Sequence, residues 1–168
     1  MRRTLVTLFG VYIVGLAWLI LFKFEVPYIG EAAGLARPFK LVPFVASGDA
    51  GPSNPLEVLA NVVFFVPFGI YLRLLTGWLW RSLAIVAGAS LALELLQHLL
   101  SVGSFDTTDV IANTTGGLLG LLLARVLAPP VMTRILLIGG VATALAIAAF
   151  IASPLQYHAP RDVVVERL

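Results

Sequence analysis

Apolar residues fill this chain in five long blocks: Thr4–Phe22, Leu56–Leu75, Ser82–Leu100, Thr108–Leu127 and Val131–Ala152. A helix needs roughly 20 residues to cross the hydrocarbon core of a bilayer, and each block has about that length. The pattern predicts an all-α polytopic membrane bundle of about five transmembrane helices, folded as a single membrane domain over residues 1–168. Arg2-Arg3 ahead of the first block resembles the start of a signal peptide. The apolar run exceeds the roughly 7–15 residues of a signal core, however, and no small-x-small cleavage site follows closely. It reads as a retained membrane helix.

The first connection, Lys23–Pro55, carries Pro27, Pro38, Pro43, Pro52 and Pro55 among several glycines, so long regular elements are not expected there. Its stretch Phe39-Lys40-Leu41-Val42-Pro43-Phe44 is too apolar for a free linker and is expected to fold back on the outer face, re-entrant or interfacial. Within the blocks, Ala112, Gly116 and Gly120 recur every four residues, as do Gly140, Ala144, Ala148 and Ala152. Such repeats let two backbones approach closely. Pro67 removes the hydrogen bond to the Val63 carbonyl, which predicts a kink in the second helix.

The few polar residues inside the blocks are not scattered. Asn61, Glu94, Gln97, Asp109 and Asn113, with Asp106 just ahead of the fourth block, all fall at positions that reach one end of the bundle. Glu94 lies three and four residues before Gln97 and His98, on one helix surface, and Asp109 and Asn113 are stacked four apart. An unsatisfied polar group in lipid costs several kcal/mol, so each must find a partner or a task. Asp106 followed by Thr107, Thr108 and Asp109 is also a good helix start. Asn61, Gln97 and Asn113 can pair helices by hydrogen bonds, and His98 reads more readily as an interface residue than as a metal ligand. Glu94 is the hardest to explain structurally, since it must stay protonated or meet a cation.

Composition agrees with a membrane protein. Hydrophobic residues make up 60% and charged residues 12%, against about a quarter charged in soluble domains, and mean hydropathy is +0.99. The net charge of +2 comes from residues at helix ends and does not point to nucleic acid. Cysteine is absent, which excludes disulfides, thiolate catalysis and Cys-ligated metal centres. Arg2, Arg3, Arg73, Arg81, Arg125 and Arg134 gather at one end, while Ser101–Thr107 has no Lys or Arg. The positive-inside rule therefore predicts a cytoplasmic N-terminus, although Lys23, Arg37 and Lys40 in the first connection weaken the bias. Trp78 and Trp80 beside Arg81 read as an inner-interface anchor. The polar cluster then faces outward.

Four motifs in order, Lys40-Leu41-Val42-Pro43-Phe44, Asn61 to Gly69, Glu94-Leu95-Leu96-Gln97 and Ser104 to Gly117, resemble those of the VanZ-like family over a core of about 39–123. The helices at 4–22 and 131–152 are additional to that core. Lys40 stands where Asn is common, and Gly103 replaces an Arg often found before Ser-Phe-Asp. The resemblance implies a multi-pass protein of the bacterial plasma membrane, tied to the cell envelope and to resistance to the glycopeptide teicoplanin. It implies no established catalytic set. The first expectation is therefore a membrane protein whose outer-leaflet polar cluster binds an envelope lipid or glycopeptide-related molecule, with Asn61, Gln97 and Asn113 as candidate binding residues. Two alternatives stand beside it. One is a membrane enzyme in which Glu94, Asp106 and Asp109 act as acid and base on a lipid phosphate, or hold a divalent cation such as Mg²⁺. The other is a small proton-coupled transporter with Glu94 as its protonation site. Oligomeric state is not legible.

Overall fold

The computed structural model describes residues 2–22, 39–45, 53–100 and 102–152. Five helices follow in chain order: α1 (Arg2–Phe22), α2 (Pro55–Thr76), α3 (Leu79–Leu99), α4 (Thr107–Val126) and α5 (Pro129–Ala152). Each coincides with one of the five apolar blocks. Most of the Pro/Gly-rich connection (23–38 and 46–52), with Lys23 and Arg37, and the tail 153–168 lie outside the described residues. By length and composition, α2 and α3 are apolar and long enough to cross a membrane; shorter apolar stretches run over Leu5–Leu21 and Pro129–Leu145.

The helix ends follow from local chemistry. Asn54 caps α2, its side chain accepting from the Leu56 N–H at 2.9 Å, and Pro55 supplies a preset φ at the first helical position. Gly77 ends α2 in the left-handed conformation (φ 73°), its N–H donating to the Arg73 carbonyl at 3.0 Å. Asp106 caps α4 through the Thr108 N–H at 2.7 Å. The start of α3 falls three residues ahead of the apolar block, since Leu79, Trp80 and Arg81 are helical and Trp78 is the residue before them. There the Ser82 hydroxyl holds the Trp78 carbonyl at 2.7 Å. Trp78 and Trp80 are exposed. α2 runs unbroken through Pro67.

The tightest seam joins α2 and α4. A Cβ built on Gly116 would overlap the Val62 carbonyl, one on Gly120 the Val66 carbonyl, and one on Gly69 the Gly117 carbonyl. Backbone therefore meets backbone along two turns, as the Ala112/Gly116/Gly120 repeat predicts. Gly117 presses on the Val86 side chain, which brings α3 against α4. Around this seam, Phe65, Phe68, Ile70 and Tyr71 of α2 pack with Tyr12, Leu16 and Ile20 of α1, Val86 of α3, and Met132 and Leu136 of α5. The Tyr12 hydroxyl donates to the Phe64 carbonyl.

The second small-residue repeat behaves differently. A Cβ on Gly140 would meet nothing within 4 Å, and Ala144 and Ala148 are exposed. Instead of a close helix contact, α5 and α1 flank a cleft of about 580 Å³ lined by Gly10, Val14, Gly140 and Ala144 among others. Spacing of small residues permits close approach but does not enforce it, and here no facing backbone closes the gap.

The two stripes make opposite predictions. Gly120→Ala drives a methyl into the Val66 carbonyl and is expected to cost about 1–3 kcal/mol, lowering the melting temperature in detergent by roughly 2–4 °C per kcal/mol. Gly140→Ala fills open space within α5 and should leave it unchanged or slightly raised, alanine being the better helix former. Thermal unfolding of both purified variants checks this.

Candidate functional site

The described residues put a polar cluster where α3 ends and α4 begins. Glu94, Gln97, Ser90, Asn113 and Thr108 are buried to within 1% of full exclusion, and Asp109 to 5%. Burial of this extent is rare for such groups unless they are paired. The Glu94 carboxylate accepts the Asp106 N–H at 3.0 Å, so α3 holds the cap of α4 directly. Gln97 donates through Nε2 to the Ile20 carbonyl at 2.8 Å, tying α3 to α1, while its own carbonyl accepts from Val102 and Gly103 N–H. Asn113 donates through Nδ2 to Ser90 Oγ at 3.0 Å. Gln97 Oε1 and Asn113 Oδ1 have no hydrogen-bond partner among the described residues.

Over this cluster lies a strap, residues 39–45. It pairs with the α3–α4 connection as a short parallel bridge, Lys40 N–H donating to the Phe105 carbonyl (2.9 Å) and Thr107 N–H to the Lys40 carbonyl (3.0 Å). Phe39 stacks on His98, ring centroids 4.1 Å apart, and on Phe105 at 5.5 Å. Phe44 N–H donates to Thr108 Oγ1 at 2.9 Å, holding Phe44 at φ 65°. That conformation costs a non-glycine residue about 1–2 kcal/mol.

Lys40 points inward and is 3% exposed. Its Nζ sits 3.1 Å from Asp106 Oδ2 and 2.5 Å from Ser53 Oγ. The Ser53 hydroxyl is also within reach of Asp106 Oδ2 (3.2 Å) and Thr108 Oγ1 (2.9 Å). One ammonium, one carboxylate and two hydroxyls thus fasten the strap, the start of α2 and the cap of α4 together. Burial alone would push the Asp106 carboxyl up. Hydrogen bonds from the Thr108 hydroxyl and N–H and from Lys40, with the Lys40 charge, outweigh it and hold the carboxyl below its ordinary value.

Of the residues singled out from the sequence, Glu94 and Asp106 are brought into direct contact. Gln97, Asp109 and Asn113 share their buried layer, His98 faces Phe39, and Asn61 is buried on α2 outside these bonds. Asp106 is the cap of α4, as its Thr-Thr-Asp context indicates. Among the described residues no group of three or more His, Cys, Asp or Glu side chains is placed to hold a metal ion. Sequence reasoning left out Lys40, Ser53, Ser90 and Thr108. Lys40 carried a signal, being a lone charge in an apolar stretch; the hydroxyl residues carried none.

Fold and site define a class: an all-helical, strongly apolar protein with a charged and amide-rich cluster shut inside one end. The VanZ/LLP1 family model matches residues 9–128. The chain is 39% identical to Protein VanZ of Enterococcus faecium over 117 residues, which cover 68% of this chain and 69% of that protein. It belongs to the VanZ-like family. No solved structure matches it.

The Lys40–Asp106 pair has measurable consequences. Lys40→Met leaves a carboxylate without its cation and should destabilise by about 3–5 kcal/mol, with part of the loss recovered in Lys40→Met/Asp106→Asn. A carboxyl lowered in the native state contributes stability above its unfolded value and loses it as pH falls through the native one. Stability should therefore weaken below about pH 4, and Asp106→Asn should flatten that acid limb. Unfolding of the three variants as a function of pH reads both effects.

Proposed function

We propose that the five helices cross the bacterial plasma membrane with the N-terminus in the cytoplasm, and that the outward-facing cluster binds the polar part of an envelope lipid or glycopeptide-related molecule. Through this binding the protein contributes to glycopeptide (teicoplanin) resistance, the property with which the VanZ-like family is associated. One observation carries the reading. Polar side chains are concentrated at one end of α3 and α4, fully buried, and their bonds between helices leave side-chain acceptors over. The glycine seam of α2 and α4 already supplies close packing, and the side-chain oxygens Gln97 Oε1 and Asn113 Oδ1 are left for a donor. A buried acceptor without a donor costs about 1–3 kcal/mol, a cost that ligand recognition explains.

Transport and metal-dependent catalysis draw less support. The buried face of α3 reads Ser82, Val86, Ser90, Glu94, Gln97. Its polar stripe is interrupted where Val86 presses on Gly117, so no continuous polar path leads along it from Glu94 to the inner end. The carboxylates of Asp106 and Glu94 face an ammonium and an N–H in place of a shared ion site.

Glu94→Gln tests the proposal. In cells with matched amounts of membrane-inserted protein, the variant should lose most of the teicoplanin protection given by the parent. Protection equal to the parent's would refute a role for the cluster. Membrane lipids compared in the same cells add a second readout: a lipid species made or consumed only with Glu94 would move the reading to an enzyme.

A further inference from the structure

The strap that closes the cluster is apolar on its outer side. Leu41, Val42, Phe44 and Val45 are 66%, 56%, 55% and 56% exposed, and Phe39 is half exposed, whereas Lys40 alone turns inward. A short connecting segment of a water-facing surface would show the reverse, charges outward and apolar groups inward. The strap is also not loose. Its backbone is bonded to Phe105 and Thr107, its Phe44 N–H to Thr108, and its lysine to Asp106 and Ser53. A row of large apolar side chains is thereby held rigidly outward, including Phe44 in a left-handed conformation (φ 65°).

The row does not end at the strap. Lys40 is bonded to Ser53, next to the Asn54 cap of α2, and the exposed Leu56 and Leu59 follow on the first turns of that helix. On the other side, Phe39 stacks on His98, next to the exposed Leu99 that ends α3. Exposed apolar side chains thus lie on the strap and on the helix ends at either side of it, with the exposed Asn54 and Glu57 among them at the start of α2. Large apolar groups held outward on the strap and on both helix ends argue for one covering phase, hydrocarbon, at all three.

We infer that residues 39–45 are a lipid-inserting strap, whose Leu41, Val42, Phe44 and Val45 enter the acyl region of the outer leaflet just below the headgroups while Lys40 anchors it from behind. The inference rests on the proposed membrane-spanning arrangement and adds the strap's partner. It sets the mouth of the polar cluster at headgroup level, beside lipid, and not in open water.

The chain has no cysteine, so single-cysteine spin labels can be placed cleanly. Val42→Cys and Val14→Cys, both at exposed positions, would be labelled in the full-length protein. They would then be reconstituted in vesicles of phosphatidylethanolamine and phosphatidylglycerol. Power saturation compares collisions with oxygen, which partitions into lipid, and with a water-soluble nickel chelate. The oxygen-to-nickel ratio at Val42 should lie several-fold above that of free label in buffer, with the label near the headgroup boundary and the Val14 label deeper. A nickel-accessible Val42 with Val14 in lipid overturns the inference alone. A Val42 label shielded from both reagents overturns it too, in favour of a protein contact on the strap. If Val14 is itself nickel-accessible, the spanning arrangement fails and the inference fails with it. Melting temperatures equal to the parent's exclude misfolding of either variant.

Discussion

The contact on which the other features depend is the backbone seam between α2 and α4. Gly116 and Gly120 bring α4 onto the carbonyls of Val62 and Val66, and Gly69 returns the contact against Gly117. Two helices this close have their rotation and depth set together. Asn113 and Asp109, on the turns of α4 just before the glycines, are then carried into the interior, and Gly117 is carried against Val86 of α3. The C-terminal half of α4 is therefore a packing surface and its N-terminal half a polar one.

That division explains why the polar half needs a closure. Glu94, Gln97, Asp109 and Asn113 are withdrawn from solvent, and most of their described bonds are to backbone or to a hydroxyl. The formal charges are met at the rim, where Lys40 reaches Asp106 from a different part of the chain. A buried ion pair is poor evidence of stabilisation by itself, since desolvation offsets most of the attraction. Its effect here is positional. It makes the strap, the start of α2 and the cap of α4 one unit, and Glu94 joins that unit through the Asp106 N–H. A change at Glu94 is therefore felt at the rim.

The fold was readable because its signals are local. Five blocks of apolar residues and the Asp106 helix start give the five helices with ends shifted by no more than a few residues. The Ala112/Gly116/Gly120 seam was readable for the same reason. The α5 repeat misled, because whether small residues close a gap depends on the partner's backbone, which spacing does not contain. At the site, the polar residues of α3 and α4 could be grouped by depth alone. The pairing of Lys40 with Asp106 could not, as it joins a short strap to a helix cap 66 positions away, and Ser53 and Thr108 look like ordinary loop and first-turn hydroxyls. Long-range partners of this kind are set by tertiary geometry and leave no periodic trace.

The central claim is that the cluster serves recognition beyond the bonds it makes between helices. Asn113→Leu combined with Ser90→Ala, measured for both thermal unfolding and teicoplanin protection, separates the two most directly. The Asn113 side chain is buried, its Nδ2 donates to the buried Ser90 Oγ and its Oδ1 has no partner among the described residues. Removing both partners of that bond, with the smaller Ala making room for the larger Leu, should leave the melting temperature near the parent's while protection is lost. Protection retained with the parent's melting temperature would contradict the account. So would a melting temperature several degrees lower with protection lost in proportion, since Asn113 would then be acting as structural glue.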